Sequence, residues 1–190
     1  MFASFYYVDE NYIKYLQNKE IEDRGFTCVP NVVYSKKEKF VFGIVMEVVT
    51  ENNVIPYFVP VTSYDKNQED NILIKVKRKG RLVNVGSLRF NYMFPVPFRC
   101  TRAVKFNDSI YTNEYKLLLE QEYRYIKKKI KLVNIQKQAR KTYERVVSGL
   151  DKNLTKNSCS FLLLEKACIE YQRQSDDEGA VYDLAGNVER

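Results

Sequence analysis

The chain has 190 residues, 45% of them hydrophobic, with a formal net charge of +7 and no histidine. This length suits one folded domain with a real core, whereas the missing imidazole excludes histidine-based nucleases, Ser-His-Asp hydrolases and Cys-His proteases. No run of about 18 apolar residues predicts a membrane span, and the 4 scattered cysteines predict reduced thiols rather than a zinc site.

The N-terminal part predicts a strand, a short helix and a loop. Phe2 to Val8 suits a strand and lacks the basic region of a signal peptide, so we expect a cytoplasmic protein with no membrane partner. Asp9 can cap a helix over residues 10–17. Residues 19–39 predict a polar loop that carries a basic cluster.

The clearest pattern is a β-hairpin. Two apolar, β-branched runs, Val41 to Val49 and Tyr57 to Val61, flank an Asn-containing turn at residues 51–53, which predicts two antiparallel strands. The second run ends at Thr62-Ser63, with Lys66 close behind. Strand ends often carry functional loops, and hydroxyls beside an ammonium suit an oxyanion such as phosphate.

Four further segments predict strands, one of them as an edge or a bend, before the pattern changes. Asn71 to Val76 and Leu82 to Val85 flank a turn at Lys79-Gly80. Residues 88–96 are apolar but contain proline, which suits an edge or a bend. Residues 103–106 predict a last strand.

The C-terminal part predicts helices. Tyr115 to about Val147 lacks Gly and Pro and shows the spacing of an amphipathic helix, with a break near residue 136 as the alternative. A shorter helix is expected from about Ser160 to Tyr171. The predicted fold class is therefore α+β with a compact curved antiparallel sheet. We expect one domain over residues 1–171 and an acidic, mobile tail over residues 172–190.

The charge is concentrated in the middle of the chain. Residues 61–173 hold 24 Lys and Arg against 11 Asp and Glu, and the whole chain has 15 tyrosines and 11 phenylalanines. This combination favours a polyanion whose bases stack on rings. The alternative is a solvated basic helix face with aromatic residues that fill the core.

Six segments, in this order, resemble the ToxN/AbiQ family of endoribonuclease toxins from type III toxin–antitoxin and abortive-infection systems. They are residues 5–16, 39–48, Tyr57 to Ser63 with Lys66, Asn91 to Val96, Tyr115-Lys116 with the helix after it, and Cys159 to Glu165. In the family pattern Thr-Ser-Pro-Lys, one residue separates the hydroxyl pair from the lysine. Here Tyr64 and Asp65 intervene.

The resemblance implies an SH3-like barrel similar to the Kid/MazF core, with a long amphipathic helix and an additional C-terminal helix. It also implies an RNA-specific endoribonuclease that needs neither metal nor cofactor. Such toxins cut A-rich RNA and leave a 2′,3′-cyclic phosphate. A repeat RNA that folds as pseudoknots inhibits them, and they process it and assemble with it into heteromers.

The resemblance and the residue chemistry together give the candidate site. Thr62 and Ser63 are expected to bind the non-bridging phosphate oxygens, and Lys66 to stabilise charge or protonate the leaving group. Lys39 would come near the same strand end, where neighbouring lysines depress one another's pKa so that one can act as a base. The expected RNA-binding residues are Tyr34, Lys36, Lys37, Tyr115, Lys116, Arg124, Lys127, Lys128 and Lys131.

Two other classes of function fit the sequence. One is a non-catalytic RNA-binding module that uses the same basic face and rings. The other is a barrel-fold interaction protein whose basic patch binds a protein or DNA. Asp9, Glu10 and Asp70 are carboxylates that could bind a metal, but their spacing does not demand it.

Overall fold

The computed structural model describes residues 3–34, 37–106 and 111–185, with backbone alone for residues 33, 34, 37, 38 and 175–185. The strands are β1 (Ser4–Val8), β2 (Val33–Tyr34), β3 (Lys37–Glu38), β4 (Val41–Val49), β5 (Val54–Thr62), β6 (Asn71–Arg78), β7 (Arg81–Arg89), β8 (Phe94–Pro95) and β9 (Thr101–Ala103). The helices are α1 (Glu10–Arg24), α2 (Asn113–Lys129), α3 (Leu132–Ser148), α4 (Lys152–Lys156) and α5 (Phe161–Ala185). None of the helices in these ranges is long and apolar enough to span a membrane.

Helix α1 begins where the sequence predicts and ends later. The Asp9 carboxylate accepts the backbone N–H groups of Asn11 at 2.8 Å and Tyr12 at 3.0 Å, so Asp9 is the N-cap. The helix continues to Arg24 and ends at Gly25, whose φ of 78° is left-handed. The expected loop is therefore wrong over residues 19–24, because Glu20 is buried and fully hydrogen-bonded rather than solvated.

Strands β4 and β5 form the predicted antiparallel hairpin. The pairing runs from Val41 opposite Pro60 to Val49 opposite Val54, with an irregularity between Gly43 and Met46. In the turn, the Asn53 N–H donates to the Thr50 hydroxyl at 3.1 Å.

The main sheet is antiparallel and strongly curved. Its order is β6-β7-β5-β4-β1-β9, and β8 also pairs with β5. Helix α2 packs on β6 at one edge, yet its Tyr123 ring lies 5.4 Å from Phe5 of β1 near the other edge. The sheet therefore wraps around α2, which confirms the predicted fold class, whereas the SH3-like barrel stays a prediction. The last strand lies at residues 101–103 rather than 103–106.

Two helices occupy the region where one long helix is the first expectation. The break is at Ile130, which has extended backbone (φ −99°, ψ 110°), six residues before the alternative considered. Ile130 and Ile135 are both buried. The change of direction lets α3 lay its own apolar face, including Ala139 and Val146, against the core.

Helix α5 packs its first half into the core and is longer than predicted. Phe161, Leu164 and Cys168 are buried, as the apolar spacing of this segment requires. The backbone stays helical past Tyr171 to Ala185. The division into a domain and a mobile tail stays a prediction.

Candidate active site

Lys39 and Thr62 line one groove, at the end of the sheet where β4 begins and β5 ends. The Val61 N–H donates to the Phe40 carbonyl over 3.4 Å, so the beginning of β4 meets the end of β5, and the Lys39 N–H donates to the Val32 carbonyl over 2.6 Å. The groove has a volume of about 200 Å³. Its lining consists of Pro30, Asn31, Val32, Lys39, Phe40, Val41, Pro60, Val61 and Thr62.

The buried hydroxyl of Ser87 organises the end of β5. It donates to the Tyr64 carbonyl over 2.7 Å, which uses its single hydrogen. The Thr62 hydroxyl is therefore the donor in its 3.4 Å contact with Ser87, and it accepts the Tyr64 N–H at 3.4 Å. A Cβ at Gly86 would overlap the Thr62 carbonyl, so β7 approaches this strand end as closely as glycine permits.

The turn after Thr62 is held from two sides. The Asn71 amide donates to the Lys66 carbonyl over 2.9 Å, and the Asn84 amide donates to the Asp65 carbonyl over 3.1 Å. Ser63 and Lys66 are exposed. Their side chains thus reach solvent from a backbone that is already positioned, which is the arrangement that binding sites favour.

The opposite wall of the groove depends on Glu20. This residue has no solvent exposure, and its carboxylate accepts the backbone N–H groups of Cys28 at 2.7 Å and Ser160 at 2.6 Å, together with the Arg24 guanidinium at 2.9 Å. The carboxylate therefore ties α1 to the segment that leads into the groove wall and to the start of α5.

Tyr115 packs at the start of α2. The N-cap is Thr112, whose hydroxyl accepts the Tyr115 N–H at 3.3 Å. The Tyr115 ring is half-buried against Tyr111, with 5.3 Å between centroids. Burial raises the pKa of its hydroxyl, and the charge of Glu122 raises it further, so Tyr115 stays protonated at neutral pH.

The predicted basic face lies on the outward side of α2. Arg124, Lys127 and Lys128 are exposed, Lys116 is half-buried, and Lys131 is exposed at the start of α3. Arg124 pairs with Glu120 over 3.2 Å. This face is carried by the helix that packs on β6, the strand that follows the turn of Lys66.

Three of the predicted RNA-binding residues fall where the structure is not fully described. Lys36 lies outside the described residues. The backbones of Tyr34 and Lys37 belong to the short pair β2 and β3, and their side chains lie outside the described part of the chain. Their roles stay predictions.

Several residues that shape the site give little signal in the sequence. Ser87, Asn71 and Glu20 are polar residues that look like surface positions, and Ser87 and Glu20 have partners that are distant in sequence. Burial is what turns them into organising groups. Gly86 could have been noticed as a glycine inside a strand, which indicates a close approach of another backbone.

Two of the three carboxylates that could bind a metal have structural roles instead. Asp9 caps α1, and Glu10 pairs with Lys14 over 2.8 Å one turn later.

Comparison with known proteins gives a family match over most of the chain. Residues 4–169 match the model of a family described as Toxin ToxN, type III toxin-antitoxin system. No curated protein matches the sequence significantly.

Three solved structures share the fold. One is from a study of bacterial type III toxin–antitoxin systems in which a non-coding RNA pseudoknot selectively inhibits the toxin (TM-score 0.73, 22% identity, 90% of this chain and 98% of that chain). Another is AbiQ, a lactococcal anti-phage endoribonuclease of the type III toxin–antitoxin system (0.69, 22%, 91% and 99%). The third is from a bacterial antiviral system regulated by a processed non-coding RNA (0.67, 21%, 86% and 95%).

Proposed function

This chain belongs to the ToxN family of type III toxin–antitoxin systems, and we propose that it is a metal-independent endoribonuclease toxin that cuts A-rich RNA. The observation that carries the proposal is the shared groove of Lys39 and Thr62, with exposed Ser63 and Lys66 on the adjoining turn. These hydroxyl and ammonium groups can bind a phosphate directly. The described endoribonuclease activity of AbiQ, which has this fold, supports the same activity here.

The proposed reaction is attack by a ribose 2′-oxygen on the adjacent phosphorus. The new 2′-O–P bond forms as the P–O5′ bond breaks, which leaves a 2′,3′-cyclic phosphate and a 5′-hydroxyl. Of Lys39 and Lys66, one, as the neutral amine, takes the 2′ proton. The other, as ammonium, gives a proton to the 5′-oxygen. Such positioned groups contribute about 10²–10⁴-fold each.

The hydroxyls of Ser63 and Thr62 are the proposed donors to the reacting phosphate. Ser63 is exposed and donates to a non-bridging oxygen of the phosphorane. Thr62 adds a second donor once its long 3.4 Å contact with Ser87 gives way to the shorter bond that a charged oxygen offers. Preorganised donors of this kind stabilise charge that develops in the transition state.

The basic face of α2 is the proposed path of the RNA backbone. Its exposed cations are Arg124, Lys127 and Lys128, and cations on one helix face suit a row of phosphates. We assign the same surface to an inhibitory repeat RNA folded as a pseudoknot, which the toxin processes and with which it assembles. The pseudoknot inhibitor of one structural relative supports this assignment.

Cleavage in the presence of EDTA tests the chemistry. Pure protein should cut A-rich RNA in EDTA and leave cyclic-phosphate ends, detected by mass spectrometry. A DNA copy should bind and stay intact, because it lacks the 2′-hydroxyl. Cutting of the DNA copy, or a requirement for a divalent metal, would eliminate the mechanism. RNA binding without any cutting would instead identify a non-catalytic binding module.

Single substitutions test the site. Ser63→Ala, Lys66→Ala and Lys39→Met should each abolish toxicity in cells and cleavage in vitro, yet leave RNA binding largely in place. Lys152→Ala, at an exposed lysine on α4, is the matched control and should remain toxic. Undiminished killing by Ser63→Ala or Lys66→Ala would remove that residue from the site.

The antitoxin arm has its own experiment. Short tandem repeats in the DNA just upstream of this reading frame should, when transcribed with the toxin, restore growth and yield discrete processed RNA. Replacing Ser63 by Ala should stop the processing. A repeat transcript that neither protects cells nor is processed contradicts the proposed RNA partner.

A further inference from the structure

We propose that Tyr64 is a stacking platform for a nucleobase next to the scissile phosphate, a role that rests on the proposed endoribonuclease function. The proposal rests on an aromatic ring that directly follows Ser63 in the sequence and has an arginine guanidinium against its face. The ligand class is a nucleotide of single-stranded RNA whose base is turned toward the protein.

Tyr64 directly follows the hydroxyl pair. It occupies the place immediately after Ser63, on the turn that carries the proposed phosphate site. A base that flanks a phosphate bound at Ser63 therefore comes first to this ring.

The backbone of Tyr64 is fixed at both ends. Its N–H donates to the Thr62 hydroxyl at 3.4 Å, and its carbonyl accepts the buried Ser87 hydroxyl at 2.7 Å. The ring therefore starts from the same two residues that organise the proposed phosphate site. A base stacked on it is held in a constant relation to the reacting phosphate, which is the geometric requirement for an in-line attack.

The ring of Tyr64 is supported by a guanidinium that also lies over the Tyr92 ring. The Arg89 guanidinium lies 4.6 Å from the Tyr64 centroid and 4.5 Å from the Tyr92 centroid. The Gln68 side chain fixes the guanidinium further, through a bond of 3.1 Å from Arg89. Tyr64 itself is only half-buried, so part of the ring remains open to a ligand.

Arg89 supplies a positive charge beside the ring. Within the described residues no carboxylate forms a direct ion pair with it, although Glu69, Asp70 and Asp151 line the same pocket. A guanidinium beneath a ring is attracted by the ring face, and it also favours a phosphate-bearing ligand above that ring. Tyr64 and Arg89 thus combine the two features that bind single strands, an aromatic surface and a nearby positive charge.

Abasic RNA tests the platform on the intact protein. The wild-type protein first maps a cut in an A-rich transcript. A short RNA spanning that cut is then made with a 2′-O-methyl group at the attacking ribose, so that it binds without being cut. Matched versions carry an abasic ribose at each nucleotide around the cut. Affinity for the wild type and Tyr64→Leu is measured by fluorescence anisotropy.

We expect Tyr64→Leu to weaken binding of the intact probe roughly five- to a hundredfold, the range for one base–aromatic stack. On the abasic probe that lacks the stacking base, Tyr64→Leu and the wild type should bind with equal affinity. On every other abasic probe, the variant should show the same loss of affinity as on the intact probe. Tyr64→Phe keeps the ring and should restore most of the affinity. Phe26→Leu is the matched control, since Phe26 is another exposed ring with a guanidinium, that of Arg24, 4.4 Å from its centroid.

The outcomes separate this proposal from the proposed function. If no RNA is cut, the endoribonuclease function fails and the platform fails with it. A second outcome overturns the stacking proposal alone. In it, RNA is cut, but Tyr64→Leu either loses the same affinity on every probe or loses no affinity on any probe. Wild-type binding that ignores every abasic position overturns it independently of any variant.

Discussion

The Tyr57 hydroxyl donates to the Glu165 carboxylate over 2.8 Å inside the core. The Tyr143 hydroxyl donates to the same oxygen, also over 2.8 Å. Burial first, and then Glu165, raise the pKa of both tyrosines, so both remain donors. Since Tyr57 lies on β5, the strand that delivers Thr62 to the groove is tied to α5 and α3.

Tyr57→Phe should destabilise the fold by about 1–3 kcal/mol, because it removes one bond to a buried carboxylate while its packing stays. Urea unfolding at neutral pH measures this. Tyr125→Phe is the control, a half-buried tyrosine on α2 whose hydroxyl has no partner within the described residues. Equal stabilities for both variants would mean that the Tyr57 bond adds nothing.

The sequence predicts well what is local in this fold. The hairpin follows from β-branched runs around an Asn turn, and Asp9 is recognisable as a cap. The groove of Lys39 and Thr62 is anticipated because an antiparallel pairing must bring the beginning of one strand to the end of the other. Local pattern therefore locates the candidate site.

What the sequence does not reveal depends on contacts between distant segments. Glu20 in a polar stretch indicates a loop until Ser160, 140 residues away, is seen to bond with it. In the sequence Ser87 looks like an ordinary strand residue, and only the structure shows its hydrogen bond to the Tyr64 carbonyl. The helix break at Ile130 has no Gly or Pro to mark it, because packing of both helices sets it.

Glu20→Ala should cost about 3–5 kcal/mol, as it leaves the Arg24 guanidinium and several buried N–H groups without their acceptor. Thermal or urea unfolding provides the value. Glu22→Ala, an exposed position on the same helix, should change stability by less than about 0.5 kcal/mol. A small loss at Glu20, comparable to that of the control, would show that solvent or a rearrangement satisfies these groups.

Ser87→Ala should lower the cleavage rate about ten- to a hundredfold with little change in RNA binding, because the Tyr64 carbonyl and Thr62 hydroxyl lose their common partner and the turn loosens. Single-turnover cleavage and anisotropy separate the two effects. The matched control is Ser148→Ala, whose hydroxyl also donates to a backbone carbonyl, that of Arg145 at 2.9 Å. A fall in binding that accounts for the whole loss of rate contradicts a positioning role.

Lys127→Gln and Lys128→Gln should each reduce the salt dependence of RNA binding. For a single strand, the slope of log affinity against log salt falls by about 0.7 for each phosphate contact removed. Binding of the uncleavable probe over a salt series gives the slope, with Lys152→Gln as control. A slope that is small in the wild type, and unchanged in both variants, would favour an interaction protein without an RNA backbone groove.

Glu122 should make stability depend on pH near neutrality. Burial on the inner side of α2 raises the pKa of its carboxyl from 4.5 to about 7, against a smaller lowering by Arg78. The folded state therefore holds this proton more tightly than the unfolded chain does. Its contribution to stability is complete below about pH 4.5 and is lost as the pH rises through about 7. The change amounts to about 3 kcal/mol.

Glu122→Gln removes the titrating group, so the variant should gain on the wild type by about 3 kcal/mol between pH 4.5 and pH 8. Urea unfolding of both proteins across this range gives the difference directly and cancels the other titrating groups. Glu120→Gln, on the outward side of the same helix and paired with Arg124, should show little such trend. If the two free energies of unfolding differ by the same amount at every pH, the Glu122 carboxyl has the same pKa in the folded and unfolded states. Water or Arg78 would then compensate for the burial of its charge.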